Sequence, residues 1–310
     1  MRKFIEIVEV GPRDGLQNEP GVLPTAVKVE LINRLAASGL KRIEVASFVN
    51  PTKVPQMADA EQVLSALPKQ GGTRYIGLVL NRKGFDRAQA AGCREIGMAL
   101  AVSDTFNRRN QRVGTEESIE EWLDIAHAAR DAGIAAHITL STSFGCPFEG
   151  EVSPEKVVGV AIRVAAGNPT ELVLADTIGA GVPAQVTDLV GRVRAALPEL
   201  RLRCHFHNTR NTGLANAYAA AQTGVDILDA SVGGIGGCPF APGATGNIPT
   251  EDLLYMLHRS GFETGVNIER LIDTGKWLQQ QLGRPVPGLL VKAGLFPRAQ
   301  ATSRPTGTPG

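Results

Sequence analysis

His205 and His207 stand one residue apart in the run Leu202-Arg203-Cys204-His205-Phe206-His207. Side chains alternate along an extended strand, so both imidazoles fall on one face and can share a single ion. Such a pair is often merely structural; a carboxylate close by, inside a protein interior, turns it into a metal site. Asp14 is the candidate anion and Asn247 a candidate amide oxygen. Two nitrogens, a carboxylate oxygen and an amide oxygen suit a six-coordinate, fairly hard divalent ion with positions open to a substrate, rather than a closed structural zinc site. Arg13, beside Asp14, brings a planar fork of donors that can hold a carbonyl or enolate oxygen. Its alternative is an ion pair with Glu44 or Asp176. The two readings overlap, because a buried ion network around a metal is itself an active-site signature.

These residues have to be brought together by the elements that carry them. Short β-branched runs recur along the chain: Phe4 to Val10, Arg42 to Ser47, Tyr75 to Leu80, Glu95 to Ser103, Ala135 to Ser143, Glu171 to Thr177, Arg201 to Asn208 and Ile227 to Gly234. Between them lie stretches such as Thr25 to Ser38 and Pro183 to Leu197, whose apolar residues recur at three and four. Gly39, Gly92, Gly133 and Gly224 each close such a stretch just before a strand, as left-handed helix caps do. Eight β/α units predict a (β/α)8 TIM barrel, an α/β fold of about 250 residues, with Asn267 to Gly283 left over as an additional C-terminal helix. A doubly wound open sheet would show the same alternation, but no nucleotide fingerprint follows the first strand.

In a barrel the reacting groups sit at the carboxyl ends of the strands. The first strand there gives Arg13, Asp14 and Gln17, the second Glu44 and Ser47, the sixth Asp176 and Thr177, and the seventh His205 and His207. Arg13, Gln17, Ser47 and Thr177 are the candidate substrate contacts; Glu44 and Asp176 are open to a structural or a catalytic role. Ser231 to Ala244 is too glycine-rich for a packed element and reads as a mobile loop. Pro239 and the lack of a complete G-x-G-x-x-G argue against a dinucleotide loop, and Cys238 becomes a candidate reactive thiol.

Composition narrows the partners. Lys+Arg of 32 against Asp+Glu of 31 leaves a formal charge of +1, which offers no field for nucleic acid or an acidic membrane, so a small molecule is expected. The four cysteines lack CxxC spacing and suit a reducing compartment; with no secretory pattern after Met1 and no apolar run of transmembrane length, a cytoplasmic location is expected. Residues 1–297 read as one domain, and 298–310, rich in Ser, Thr, Pro and Gly, as a disordered tail.

Gly11 to Glu19, Ala46-Ser47-Phe48-Val49 with Val54-Pro55-Gln56-Met57-Ala58-Asp59, and Gly236 to Ala244 closely resemble the 3-hydroxy-3-methylglutaryl-CoA lyase family, a likeness that extends over nearly all of residues 1 to 283. The resemblance implies that Asp14, His205, His207 and Asn247 hold Mg2+ or Mn2+, that Arg13 lies at the substrate carbonyl, that Glu44 and Asp176 lie near the catalytic centre, and that Cys238 rides the active-site loop. It implies retro-Claisen cleavage of a CoA ester to acetyl-CoA and a keto acid, acetoacetate for the 3-methyl substrate, a step of leucine degradation. His205, Asp176 or a bound water would take the hydroxyl proton. Where the family has Asp-Thr and then a glycine two residues on, this chain has Asn208-Thr209-Arg210-Asn211, which opens the choice of acyl group.

Three rivals are weaker. Condensing synthases of the same superfamily carry an acidic residue where Leu16 stands, and biotin-dependent barrels need a lysine at the strand ends. A catalytically dead barrel binding metal and CoA ester would need a missing catalytic group, yet each is present. Arg108 and Arg109 are candidates for the CoA phosphates, and exposed apolar helix faces are compatible with a homodimer.

Overall fold

The computed structural model describes residues 3–69, 71–237 and 246–297. Its centre is a closed parallel barrel whose strands follow chain order: β2 (Glu6–Glu9), β3 (Arg42–Ser47), β4 (Arg74–Val79), β5 (Glu95–Ala101), β6 (Ala135–Ser141), β7 (Leu172–Asp176), β8 (Leu202–Phe206) and β9 (Ile227–Ala230). Closure is made by β2 against β9, with Glu6 opposite Ile227 and Glu9 opposite Ala230. Every residue of β3, β7 and β9 is buried, as expected where helices cover a parallel sheet from outside and side chains fill it from within.

The helices begin and end where local chemistry says they should. Ser153 caps the helix Pro154–Ala165 by accepting from the Lys156 N–H, with proline in the first turn. Asn267 caps Ile268–Leu282 in the same way, and Gly283 ends that helix at φ 65°, in the left-handed region. This is the additional C-terminal helix; a short one, Leu290–Ala293, follows it. Among the described residues no helix is long and apolar enough to cross a membrane.

All eight anticipated strands exist, with two differences of detail. The first run is broken: β1 (Lys3–Phe4) leaves the barrel to pair with β10 (Phe262–Glu263), a strand that periodicity did not reveal because it is two residues long. The last run stops at Ala230 rather than Gly234, because Gly233 and Gly234 take φ of 70° and 68°, which no strand continues.

The barrel interior contains charge as well as apolar filling. Arg42 on β3 reaches Glu171 at 2.7 and 2.9 Å and also pairs with Glu95 on β5. Glu171 in turn accepts from Arg203 on β8 at 3.0 Å. His137 on β6 lies 3.7 Å from Glu95 and 3.9 Å from Glu171. Burial opposes the ionised Glu95, but His137 and Arg42 override it and hold its pKa near 2. The network also constrains packing, since a Cβ on Gly97 would overlap the His137 ring. Replacing Arg42 with Met should leave Glu95 without a guanidinium partner and Glu171 with Arg203 alone, and destabilise the fold by about 3–5 kcal/mol. Urea unfolding checks this; a loss under about 1 kcal/mol would mean that the network contributes little.

Candidate active site

At the carboxyl end of the barrel the chain after β2 winds into a π-turn, Gly11–Gly15, in which the N–H groups of Arg13, Asp14 and Gly15 all turn toward the Val10 carbonyl. Wide turns of this kind are frequent at functional sites. Here the turn is held tight because a Cβ on Gly15 would sit 2.6 Å from Ile235. It projects Arg13 and Asp14 over the barrel mouth. The Arg13 guanidinium donates to Asp14 Oδ1 and to Glu44 Oε2, each at 2.7 Å, so the ion pair weighed from the sequence does form.

His205 is on β8, and His207 lies one residue past its end, where it forms an isolated bridge with Asn247. The bridge has a backbone cause. Asn208 N–H donates to Gly246 and Ile248 N–H to Phe206, so the returning chain runs alongside the end of β8 and sets Asn247 opposite His207. Asp14 Oδ2 then accepts from Asn247 Nδ2 at 2.8 Å and faces His205 Nε2 at 3.9 Å and His207 Nε2 at 4.0 Å. Those separations are about twice a metal–oxygen bond of ~2.1 Å. Asn247 Oδ1 is buried and has no hydrogen-bond partner among the described residues, which leaves it available to a cation. Burial alone would raise the Asp14 pKa, but Arg13 and the two histidines hold it near 2, and burial with the neighbouring His205 lowers His207 to about 4. One ionised carboxylate and a neutral imidazole are what a divalent ion requires.

A second group of ligand-type side chains, Glu95, His137 and Glu171, also lies within ligating distance. Its carboxylates already pair with Arg42 and Arg203, although Glu95 Oε2 and His137 Nδ1 have no hydrogen-bond partner among the described residues, so a further cation there would sit beside two buried guanidinium groups. In the Asp14, His205 and His207 group a single guanidinium, that of Arg13, touches one Asp14 oxygen, while the other oxygen accepts from the neutral Asn247 amide.

A cavity of about 820 Å3 opens over it, of the size that takes small ligands, and Arg13, Asp14, Gln17, Glu44, Thr177 and His205 contribute to its wall. Ser47 stands behind, donating from its hydroxyl to Gln17 Oε1 at 3.0 Å. Asp176 is not in the wall: its two oxygens accept the N–H groups of Ala180 at 2.8 Å and Gly181 at 3.0 Å, so it shapes the loop after β7. Arg108 pairs with Asp104 and Arg109 lies over Phe148, outside the cavity, whereas exposed Lys53 and Lys83 are at its rim. Cys238 lies outside the described residues.

Among the carboxyls that sequence reasoning missed, Glu9 and Glu251 hold the chain around the site. Glu9 Oε1 accepts from Gly11 N–H and Val232 N–H, both at 2.8 Å, and its Oε2 accepts from the Thr250 hydroxyl at 2.7 Å, tying together the three segments that carry Arg13, the glycine loop and Asn247. Glu251 accepts from Gly233 N–H at 3.0 Å. A glutamate inside an apolar strand, as in Ile7-Val8-Glu9-Val10, was the available signal.

A cluster of ligand-type side chains at the mouth of a (β/α)8 barrel, beneath a ligand-sized cavity, is where the active site of a barrel enzyme is expected. Residues 4–278 match the HMGL-like family. The chain is 46% identical over 300 residues to (R)-citramalyl-CoA lyase of Chloroflexus aurantiacus, covering 94% of this chain and 95% of that protein. It is 46% identical over 279 residues to hydroxymethylglutaryl-CoA lyase of Pseudomonas mevalonii, covering 90% and 93%. The structure of an HMG-CoA lyase from Acinetobacter baumannii in complex with coenzyme A and 3-methylmalate superposes with a TM-score of 0.91 at 39% identity, over 96% of this chain and 97% of that one. This chain belongs to the HMG-CoA lyase family of carbon–carbon lyases.

Burial raises the Glu251 pKa from 4.5 to about 8 and that of Glu9 to about 7. Between pH 4.5 and 8 the folded Glu251 therefore keeps a proton that the unfolded chain has lost. Unfolding releases that proton, so stability should fall as pH rises through this window, by an amount on the order of 5 kcal/mol for Glu251. Glu251→Gln should flatten the curve most between pH 7 and 8, above the midpoint of the Glu9 titration. Parallel curves of urea midpoint against pH for the two proteins would contradict the assignment.

Proposed function

We propose that the protein cleaves 3-hydroxy-3-methylglutaryl-CoA to acetyl-CoA and acetoacetate, with Mg2+ or Mn2+ held by Asp14, His205, His207 and Asn247. The observation that carries this reading is the convergence of the Asp14 Oδ2 atom and the two imidazole Nε2 atoms beneath the cavity, beside the Asn247 side chain, which donates to Asp14 Oδ2 and whose Oδ1 is unpartnered among the described residues. When bound, the ion supplies Lewis acidity that makes the tertiary hydroxyl easier to deprotonate. The hydroxyl proton passes to a bound water, the C2–C3 bond breaks, its electron pair becomes the thioester enolate, and a proton returned from water to that carbon completes acetyl-CoA.

Arg13 is the residue for the enolate oxygen. Its guanidinium is already aligned by Asp14 and Glu44, so it needs no reorganisation as charge develops. Gln17, steadied by Ser47, and Thr177 line the space for the acyl group. The CoA phosphates lie toward Lys53 and Lys83 at the rim. Asp176 serves by holding the loop that bears Thr177 rather than by taking the proton, and His205 is a ligand with its other nitrogen engaged.

A second reading is cleavage of citramalyl-CoA to acetyl-CoA and pyruvate, an acyl group shorter by one methylene. It is favoured by the likeness to the Chloroflexus aurantiacus enzyme and by Asn208-Thr209-Arg210-Asn211, where Arg210 grips the Ile178 and Gly179 carbonyls at 3.0 Å and so reshapes the wall near Thr177.

Acetyl-CoA release from each ester, with the keto acid identified, tests both readings. Acetoacetate formation that disappears with a chelator and falls about 100–1000-fold in Arg13→Ala supports the first. Pyruvate as the sole keto acid moves the assignment to the second, and turnover unaffected by chelation contradicts the metal.

A further inference from the structure

His205 and His207 are not supported alike. His207 Nδ1 is buried with no hydrogen-bond partner among the described residues. His205 Nδ1, in contrast, lies 3.1 Å from Asp229 Oδ2 on the neighbouring strand β9. Asp229 is itself fixed, because its other oxygen pairs with the Arg203 Nε–H. Arg203 stands two residues before His205 on β8, so both side chains point into the barrel. Arg203 is held from below by Glu171, and Glu171 by Arg42, so His205 is the upper end of a continuous line of buried charge pairs.

An ionised carboxylate can only accept a hydrogen bond, so Asp229 requires the His205 proton to sit on Nδ1. The lone pair is then on Nε2, the atom turned toward Asp14 Oδ2. We propose that Asp229, clamped by Arg203, is a positioning residue that selects the ligating tautomer of His205 and fixes the plane of its ring. This rests on the metal reading above for its purpose, but the tautomer itself is a property of the metal-free protein. Arg203 decides what a substitution does: in Asp229→Asn the amide oxygen stays with the Arg203 donor, so the amide N–H faces His205 Nδ1. The proton must then move to Nε2, the atom needed by the ion.

The test uses two measurements. The first is 15N–1H correlation of the imidazole nitrogens in metal-free, histidine-labelled protein at alkaline pH, with His205 assigned through His205→Ala. The wild type should show His205 protonated at Nδ1, and Asp229→Asn should show it protonated at Nε2. The second is Mn2+ binding by calorimetry in a double-mutant cycle. Asp229→Asn should weaken Mn2+ about 10–100-fold where His205 is present and have no further effect in the His205→Ala background. A purely structural Asp229 would weaken both backgrounds alike.

Wild-type His205 protonated at Nε2, or equal losses in the two backgrounds, overturns the proposal. If Asp229→Asn does not fold, the wild-type tautomer decides alone. If the wild type binds no Mn2+, the metal reading falls while the tautomer measurement still judges the positioning role.

Discussion

Charge enclosed by a barrel must be matched where it stands, because neither water nor a flexible neighbour is at hand to compensate it. In this protein that requirement organises the interior from floor to mouth. Arg42 matches Glu95 and Glu171, Arg203 matches Glu171 and Asp229, Asp229 holds His205, and Arg13 joins Asp14 to Glu44. At the mouth no second guanidinium enters: two imidazoles face one carboxylate oxygen, and the Asn247 side chain that donates to that oxygen keeps its own Oδ1 unpartnered among the described residues.

The same logic explains how distant parts of the chain are brought to the mouth. Glu9 gathers the turn after β2, the segment after β9 and the start of the helix Thr250–Arg259 through three hydrogen bonds. Two of these donors are backbone N–H groups, so the carboxyl acts on chain path rather than on side-chain charge. Asn247 reaches His207 through backbone pairing alone. Precision of this kind is useful to an enzyme, since a reacting group displaced by about 1 Å can lose most of its effect.

How much of this was legible in the sequence depended on the range over which each feature is determined. The His205 and His207 pairing follows from the two-residue period of a strand and needs no knowledge of the fold. The eight units follow from local periodicity and helix caps, and Arg13, Asp14 and Glu44 from their place at strand ends. Asp229, Arg203, Glu171 and Glu95 were not foreseen, because their partners are set by the register between strands, as in Val173 opposite Arg203. A charged residue inside an otherwise apolar run, as in Ile227-Leu228-Asp229-Ala230, was the only local sign. Asp176 stands at a strand end, where the sequence makes it a catalytic candidate, and its oxygens accept from the backbone of the loop after that strand, a contact no local pattern reveals.

We infer that a divalent ion binds at the barrel mouth and not in the charge network on the floor. Anomalous scattering from a crystal of the protein soaked in Mn2+ separates the two sites. One strong peak bounded by Asp14, His205, His207 and Asn247 is expected. A peak among Glu95, His137 and Glu171 instead, or none at the mouth with Mn2+ in excess, would contradict it.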